Sequence, residues 1–354
     1  MNVILAELKK IYKLKTLVVA TFICIIYFFS FMHSWVDISG ERLFGPPSLD
    51  EIARVLTQMY GPRLEPGDFE SLQNYLEVLL AEQHYGLEHE HRIVIIKMAI
   101  DFYRANILHE YIPHLSHIVD IRLTSPFLNV NTHMHEHISG FRYSDELRNI
   151  MGSEVLKYTW QYSIRLAILS IIVNLLLVSP LIITDQTTKV HWLQYTSQLG
   201  RGIRVKQFVA MQISAIGTTT VLIAIFGGAF ALNGTFIFWN NGINSFLGLS
   251  LHWLSIIYGQ YILLIIGFIY ILSMCVTAIA FIYSWSSSNI ITLLFRLILL
   301  SIVTYYTVIL VLRNFLVIGS GQGWTPQFLM LFATCLFIDF IFVGGTALKS
   351  AVSR

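Results

Sequence analysis

The stretch LSIIYGQYILLIIGFIYILSMCVTAIAFIY, Leu254–Tyr283, runs for 30 residues without a charged side chain. A run of about 20 apolar residues crosses the hydrocarbon of a bilayer as an α-helix, because a helix satisfies every backbone N–H and C=O within itself. This stretch exceeds that length, so it predicts a tilted span or one kinked near Gly267. Five further stretches are also predominantly apolar over a spanning length, namely Leu17–His33, Ser163–Ile183, Phe208–Leu232, Ile290–Leu312 and Phe328–Gly345. Lys9, Lys10, Lys13 and Lys15 precede the first, but it is too long for a signal-peptide core and no small-residue cleavage site follows it, so it reads as an uncleaved span.

Composition points the same way. Charged residues make up 12% of the chain, about half the share in a soluble domain, and so few cannot coat a water-soluble globule. Of the 21 acidic residues, all but Glu7, Asp185 and Asp339 lie between Asp37 and Glu154. The chain therefore divides into residues 1–35 (N-terminal helix and first span), a polar segment 36–160, and spans two to six in 161–354. Cys24, Cys275 and Cys335 each sit in an apolar run, which excludes a disulfide framework or zinc knuckle. No basic tract with interleaved aromatics occurs, which argues against nucleic acid as a partner.

Lysine and arginine in the short connections set orientation. Lys189, Arg201, Arg204 and Lys206 lie between spans two and three, while the stretch from Asn233 to Trp253 carries no charge. Both termini are expected in the cytoplasm, in the cell membrane, with the polar segment outside. Trp35, Trp160, Trp239, Trp253, Trp285 and Trp324 fall near predicted span ends, where indoles meet headgroups.

The polar segment reads as helices. Ser48-Leu49-Asp50-Glu51 is a capping box opening a helix that ends at Gly61-Pro62. Asp68 is expected to cap a second, with Phe69, Leu72, Leu76, Leu79 and Leu80 at helical spacing. A third begins near Glu88 and carries Ile93, Ile96, Ala99, Ile100 and Tyr103. Ser144 is expected to cap a last helix that runs almost unbroken into the second span. Nine of the 12 histidines lie between His84 and His137. Three readings stand for them: a solvated surface, a zinc or copper site with His133, His135 and His137 as candidates, or a response to pH. His-Glu-x-x-His is absent, which removes a zinc protease.

Two ionisable residues stand out in the later spans. Arg296 and Asp339 lie at similar depths in spans five and six, which predicts a mutual ion pair, with Arg296 snorkelling to lipid phosphate or a proton or ion relay as the alternatives. Gly227, Gly228 and Ala229 in the third span predict close helix approach. No span carries paired carboxylates or Ser/His sets, so the chain is not expected to be an enzyme.

After the second span the chain reads TDQTTKVHWLQYTSQLGRGIRVKQ, Thr184–Gln207, an acid at the span end, then a small-polar turn, Gly200-Arg201 and a final lysine. Asn2 to Lys15 is amphipathic, with Val3, Ile4, Leu8, Ile11, Tyr12 and Leu14 against Glu7 and four lysines. These two segments resemble the membrane (permease) subunits of type-2 ABC transporters, with Asp185 in place of the more usual glutamate. The resemblance implies an all-α, six-span fold with an N-terminal elbow helix and a helical extracytoplasmic domain between spans one and two. It also implies that loop 185–206 is a coupling helix seated on a nucleotide-binding ATPase subunit, with Asp185, Trp192, Tyr195, Gly200, Arg201 and Lys206 at the contact. No Gly-x-x-x-x-Gly-Lys-Ser/Thr occurs, so ATP and magnesium belong on that partner, and this chain binds no cofactor itself. A second membrane subunit, identical or homologous, is expected, as is export of a hydrophobic or amphipathic substrate such as an antimicrobial or self-produced peptide. The rival expectation is a non-enzymatic sensor or assembly factor whose histidine-rich outer domain binds a metal or peptide.

Overall fold

A computed structural model describes residues 2–33, 36, 49–81, 87–106, 148–187, 203–245, 247, 256–286 and 290–312. Among them the secondary structure is helical, with two isolated β-bridges and no strand. The elements are α1 (Asn2–Ile11), α2 (Leu14–Met32, π-helical over Phe28–Met32), α3 (Leu49–Tyr60), α4 (Pro66–Ala81), α5 (Leu87–Asn106), α6 (Ser153–Thr187), α7 (Ile203–Ala231, π-helical over Ile223–Gly227), α8 (Tyr258–Ser286) and α9 (Ile290–Leu310). Five of these, α2, α6, α7, α8 and α9, are long and apolar enough to span a bilayer. The expected sixth span, Phe328–Gly345, lies outside the described residues.

The second span is the centre of the bundle. Its apolar residues are spread round the whole helix, the pattern of an element covered on all sides, and α6 packs against α2, α7, α8 and α9. By contrast α2 shows most of its surface, including Phe22, Ile25 and Phe29, which is the apolar exterior a membrane requires. At 35 residues, α6 is about 52 Å long, well beyond the roughly 30 Å of hydrocarbon. It therefore projects from the membrane, and it crosses the expected 160/161 boundary as one helix.

Three boundaries move. The helix of the second span starts at Ser153, because 148–151 is extended: Arg63 bridges Asn149, Leu64 N–H donates to Arg148 O at 3.0 Å and Ile150 N–H to Pro62 O at 3.1 Å. Ser144 itself lies outside the described residues. The fourth span starts at Tyr258 rather than Leu254, since Ile256 and Ile257 pair with Gly242 and Ile243. Asp68 is not the cap of α4. Pro66 opens that helix, and the Asp68 carboxylate reaches back to accept the Glu65 N–H at 2.8 Å, the returning arm of a capping box.

In the domain, α3, α4 and α5 bury Ile52, Leu56, Leu72, Leu79, Ile96, Ala99, Ile100 and Tyr103 together. Phe69 stacks on Tyr103 with ring centres 4.4 Å apart. Leu80, expected on the same apolar face, points to solvent. The domain is fastened to the bundle by α3. Arg54 donates to Asn233 O at 2.9 Å, beside Gly234, whose φ of +69° turns the chain out of the third span. The Asn241 amide donates to Thr57 Oγ1 at 3.0 Å and also to Ile150 O.

Candidate functional site

Spans two, three and four meet at a buried polar cluster. Ser170 on α6 shares hydrogen bonds with Thr219 on α7 at 2.9 Å and with Ser273 on α8 at 3.0 Å. The Asn174 amide, one turn further, donates to Thr219 Oγ1 at 3.1 Å and Ser170 Oγ at 3.4 Å. Such groups bond across helices because lipid offers them no other partner. The contacts pin α6, α7 and α8 into one core, and Asn174 Oδ1 is buried with no partner among the described residues. Among the described residues the cluster's hydrogen bonds join uncharged side chains.

Beyond it, α2 and α7 both become π-helical, and the two π segments touch through Phe28 and Phe226, ring centres 5.5 Å apart. A π-turn displaces backbone carbonyls from the regular ladder. The carbonyl of Phe226 is taken up by the buried hydroxyl of Tyr162, which donates to it at 2.6 Å. Gly227 and Gly228 border this segment. A Cβ on either would meet no backbone, only Ile223 Cγ2 at 3.7 Å for Gly227, so among the described residues they do not create the close helix approach expected of them.

At the N-terminal end, α1 is a separate helix. Lys13 is extended between α1 and α2, and α1 packs on α7 and α6. The buried face of α1 contains Glu7, which sequence pattern had placed with the lysines on the polar side. Glu7 is 3% exposed, ion-paired to Lys10 at 2.9 Å and accepting from Gln207 Nε2 at 3.4 Å. Those two donors are what make a buried carboxylate tolerable. Five residues on, the Tyr12 hydroxyl meets Ser214 O at 3.2 Å, Ser214 Oγ at 3.0 Å and Thr218 Oγ1 at 3.2 Å. As α1 advances from Glu7 to Tyr12 its contacts advance along α7, so the two helices run side by side and the start of α7 extends beyond the level where the first span begins.

The residues singled out in the sequence are placed unevenly. Asp185 lies in the last turns of α6 and Lys206 at the start of α7, so both ends of the expected loop are helical. Trp192, Tyr195, Gly200, Arg201, Asp339, His133, His135 and His137 lie outside the described residues. Arg296 is half-buried near the start of α9, 5.9 Å from the centre of the Tyr283 ring at the end of α8. The fourth span is continuous α-helix through Gly267.

One charge was missed. Arg165 falls within the expected span Ser163–Ile183, where the sequence reading gave it no role. It stands within the apolar stretch of α6. Its guanidinium donates to Gln161 O at 2.9 Å, and its electrostatic neighbours are Tyr27 on α2 and Tyr305 on α9. Arg165 is half-buried. The signal that could have found it is its place inside the otherwise apolar run Ser163–Ile183.

No family model, no curated protein and no solved structure matches this chain.

Proposed function

We propose that this chain is the membrane subunit of an ATP-driven exporter of the type-2 ABC kind, turning closure of a separate nucleotide-binding subunit into movement of its spans. The observation that carries the reading is the bond from Gln207 to the buried Glu7. Gln207 directly follows Lys206, where the connection between spans two and three ends. A displacement of that connection therefore reaches α1 through Glu7, and the first span through Tyr12.

In this reading α1 is the elbow helix, and both termini and loop 185–206 face the cytoplasm. Asp185, Trp192, Tyr195, Gly200, Arg201 and Lys206 contact the ATPase, which holds ATP and magnesium. A second membrane subunit completes the pathway for a hydrophobic or amphipathic substrate.

Co-purification with the products of neighbouring genes tests it. An ATP-hydrolysing subunit that elutes with the chain, and is lost from Asp185→Ala or Arg201→Ala, is the expected result. A chain that purifies alone, with no ATPase among its neighbours, removes the reading.

A further inference from the structure

The first span carries an exposed stripe with cations gathered at one end. On α2, Lys15, Val18, Phe22 and Ile25 recur at helical spacing and are all exposed, and of the five spans α2 is the least covered. From Lys15 to Ile25 is about 15 Å at 1.5 Å per residue, half the roughly 30 Å of hydrocarbon and so the depth one acyl chain reaches. Just before the stripe, α1 exposes Leu5 and Lys9 on the side opposite the buried Glu7 and Ile11. Lys13, extended between the two helices, is exposed as well, as is Leu14. Glu7 is the only acid before Asp37, and it faces α7 and pairs with Lys10 at 2.9 Å. Lys9, Lys13 and Lys15 therefore make a basic patch around the bend between α1 and α2, with exposed apolar surface beside it.

That arrangement selects a ligand. An ammonium is a compact charge that takes phosphate oxygens, and basic residues at the membrane edge attract anionic headgroups. The stripe beyond them suits a lipid tail. We propose that Lys9, Lys13 and Lys15 form a headgroup site for an anionic phospholipid, one of whose acyl chains lies along Val18, Phe22 and Ile25. A lipid held there bridges the bend at Lys13 and fixes how α1 meets the first span, while α7 holds the other face of α1. A second copy fits the same surface poorly, since a two-fold axis normal to the membrane would set these lysines against their own copies. Such a site needs no ATPase and stands apart from the export reading.

The test is native mass spectrometry of the chain purified in mild detergent and titrated with dioleoyl phosphatidylglycerol or dioleoyl phosphatidylcholine. The anionic lipid is expected to bind at least about tenfold more tightly, since each lysine near a lipid surface contributes about fivefold. Replacing Lys9, Lys13 and Lys15 together by Gln removes that preference. Lys15→Gln alone changes one exposed side chain, leaves the fold intact and weakens phosphatidylglycerol binding about fivefold. Lys97→Gln, an exposed lysine on α5 of the domain, is the control and leaves binding unchanged.

Equal affinity of the parent chain for the two lipids overturns the proposal. So does a preference that survives in the monodisperse triple variant, or unchanged affinity in Lys15→Gln, which guards against a triple variant that does not fold. A loss in Lys97→Gln as large as in Lys15→Gln assigns the attraction to net charge and overturns it too. Displacement of the lipid by excess inorganic phosphate would make the lysines a site for the free anion, again against the proposal. Disulfide-linked dimers of Phe22→Cys in phosphatidylglycerol vesicles, absent from the parent chain, would give the stripe to a second copy instead. Lipid binding is read without any ATPase, so a chain that binds the lipid yet captures no ATPase sinks the export reading and leaves this site standing.

Discussion

Gly259 opens the fourth span with its backbone against Trp239. Its N–H donates to Trp239 O at 2.9 Å, and a Cβ there would lie 2.6 Å from the indole ring. A ring held at its own backbone cannot swing away, so Gly259→Ala should destabilise by about 1–3 kcal/mol, the usual cost of overpacking. Gly267→Ala, facing open space in the same helix, is the control and should be neutral or slightly stabilising. Thermal unfolding in detergent separates the two. Neither residue announces its role in the sequence, where both are glycines in one apolar run.

Between elements, the polar cluster and the α1 contact are the joints to test. A double-mutant cycle of Asn174→Ala and Thr219→Val should give a coupling of about 0.5–1.5 kcal/mol, the range for hydrogen bonds between membrane helices. A coupling near zero would mean that apolar packing alone holds α6 to α7. At the other joint, Tyr12→Ala removes three contacts to α7. Limited trypsin digestion of that variant should cleave after Lys9 or Lys10 several-fold faster than in the parent, because a released α1 is a short helix with little stability of its own. Helix positions were legible from apolar runs and turn residues, as α3, ending just before Gly61, illustrates. The π segments were not legible, since a π-turn obeys the same hydrophobic pattern and is decided by what packs beside it, here Phe28 on Phe226.

At the scale of the molecule, α3 ties the domain to the bundle through Arg54 and Thr57. Arg54→Ala leaves Asn233 O without that donor and should cost about 1.5–3 kcal/mol for a charged hydrogen bond. Amide exchange should then rise in α3 and at 233–241, with α8 unaffected. Uniform exchange across both would show that the domain does not lean on this contact. If the export reading holds, this is also the route by which movement of α7 reaches the outer domain.

The amino-acid sequence by itself determined that the chain is a multi-span helical membrane protein with a helical domain after its first span. Bilayer thickness and backbone hydrogen bonding leave an apolar run of that length no other structure. It could not determine which of the described spans is central, or that Glu7 is buried against Gln207. Those are relations between helices that share one hydrophobic pattern. Only their packing decides which polar side chain meets a partner from another span.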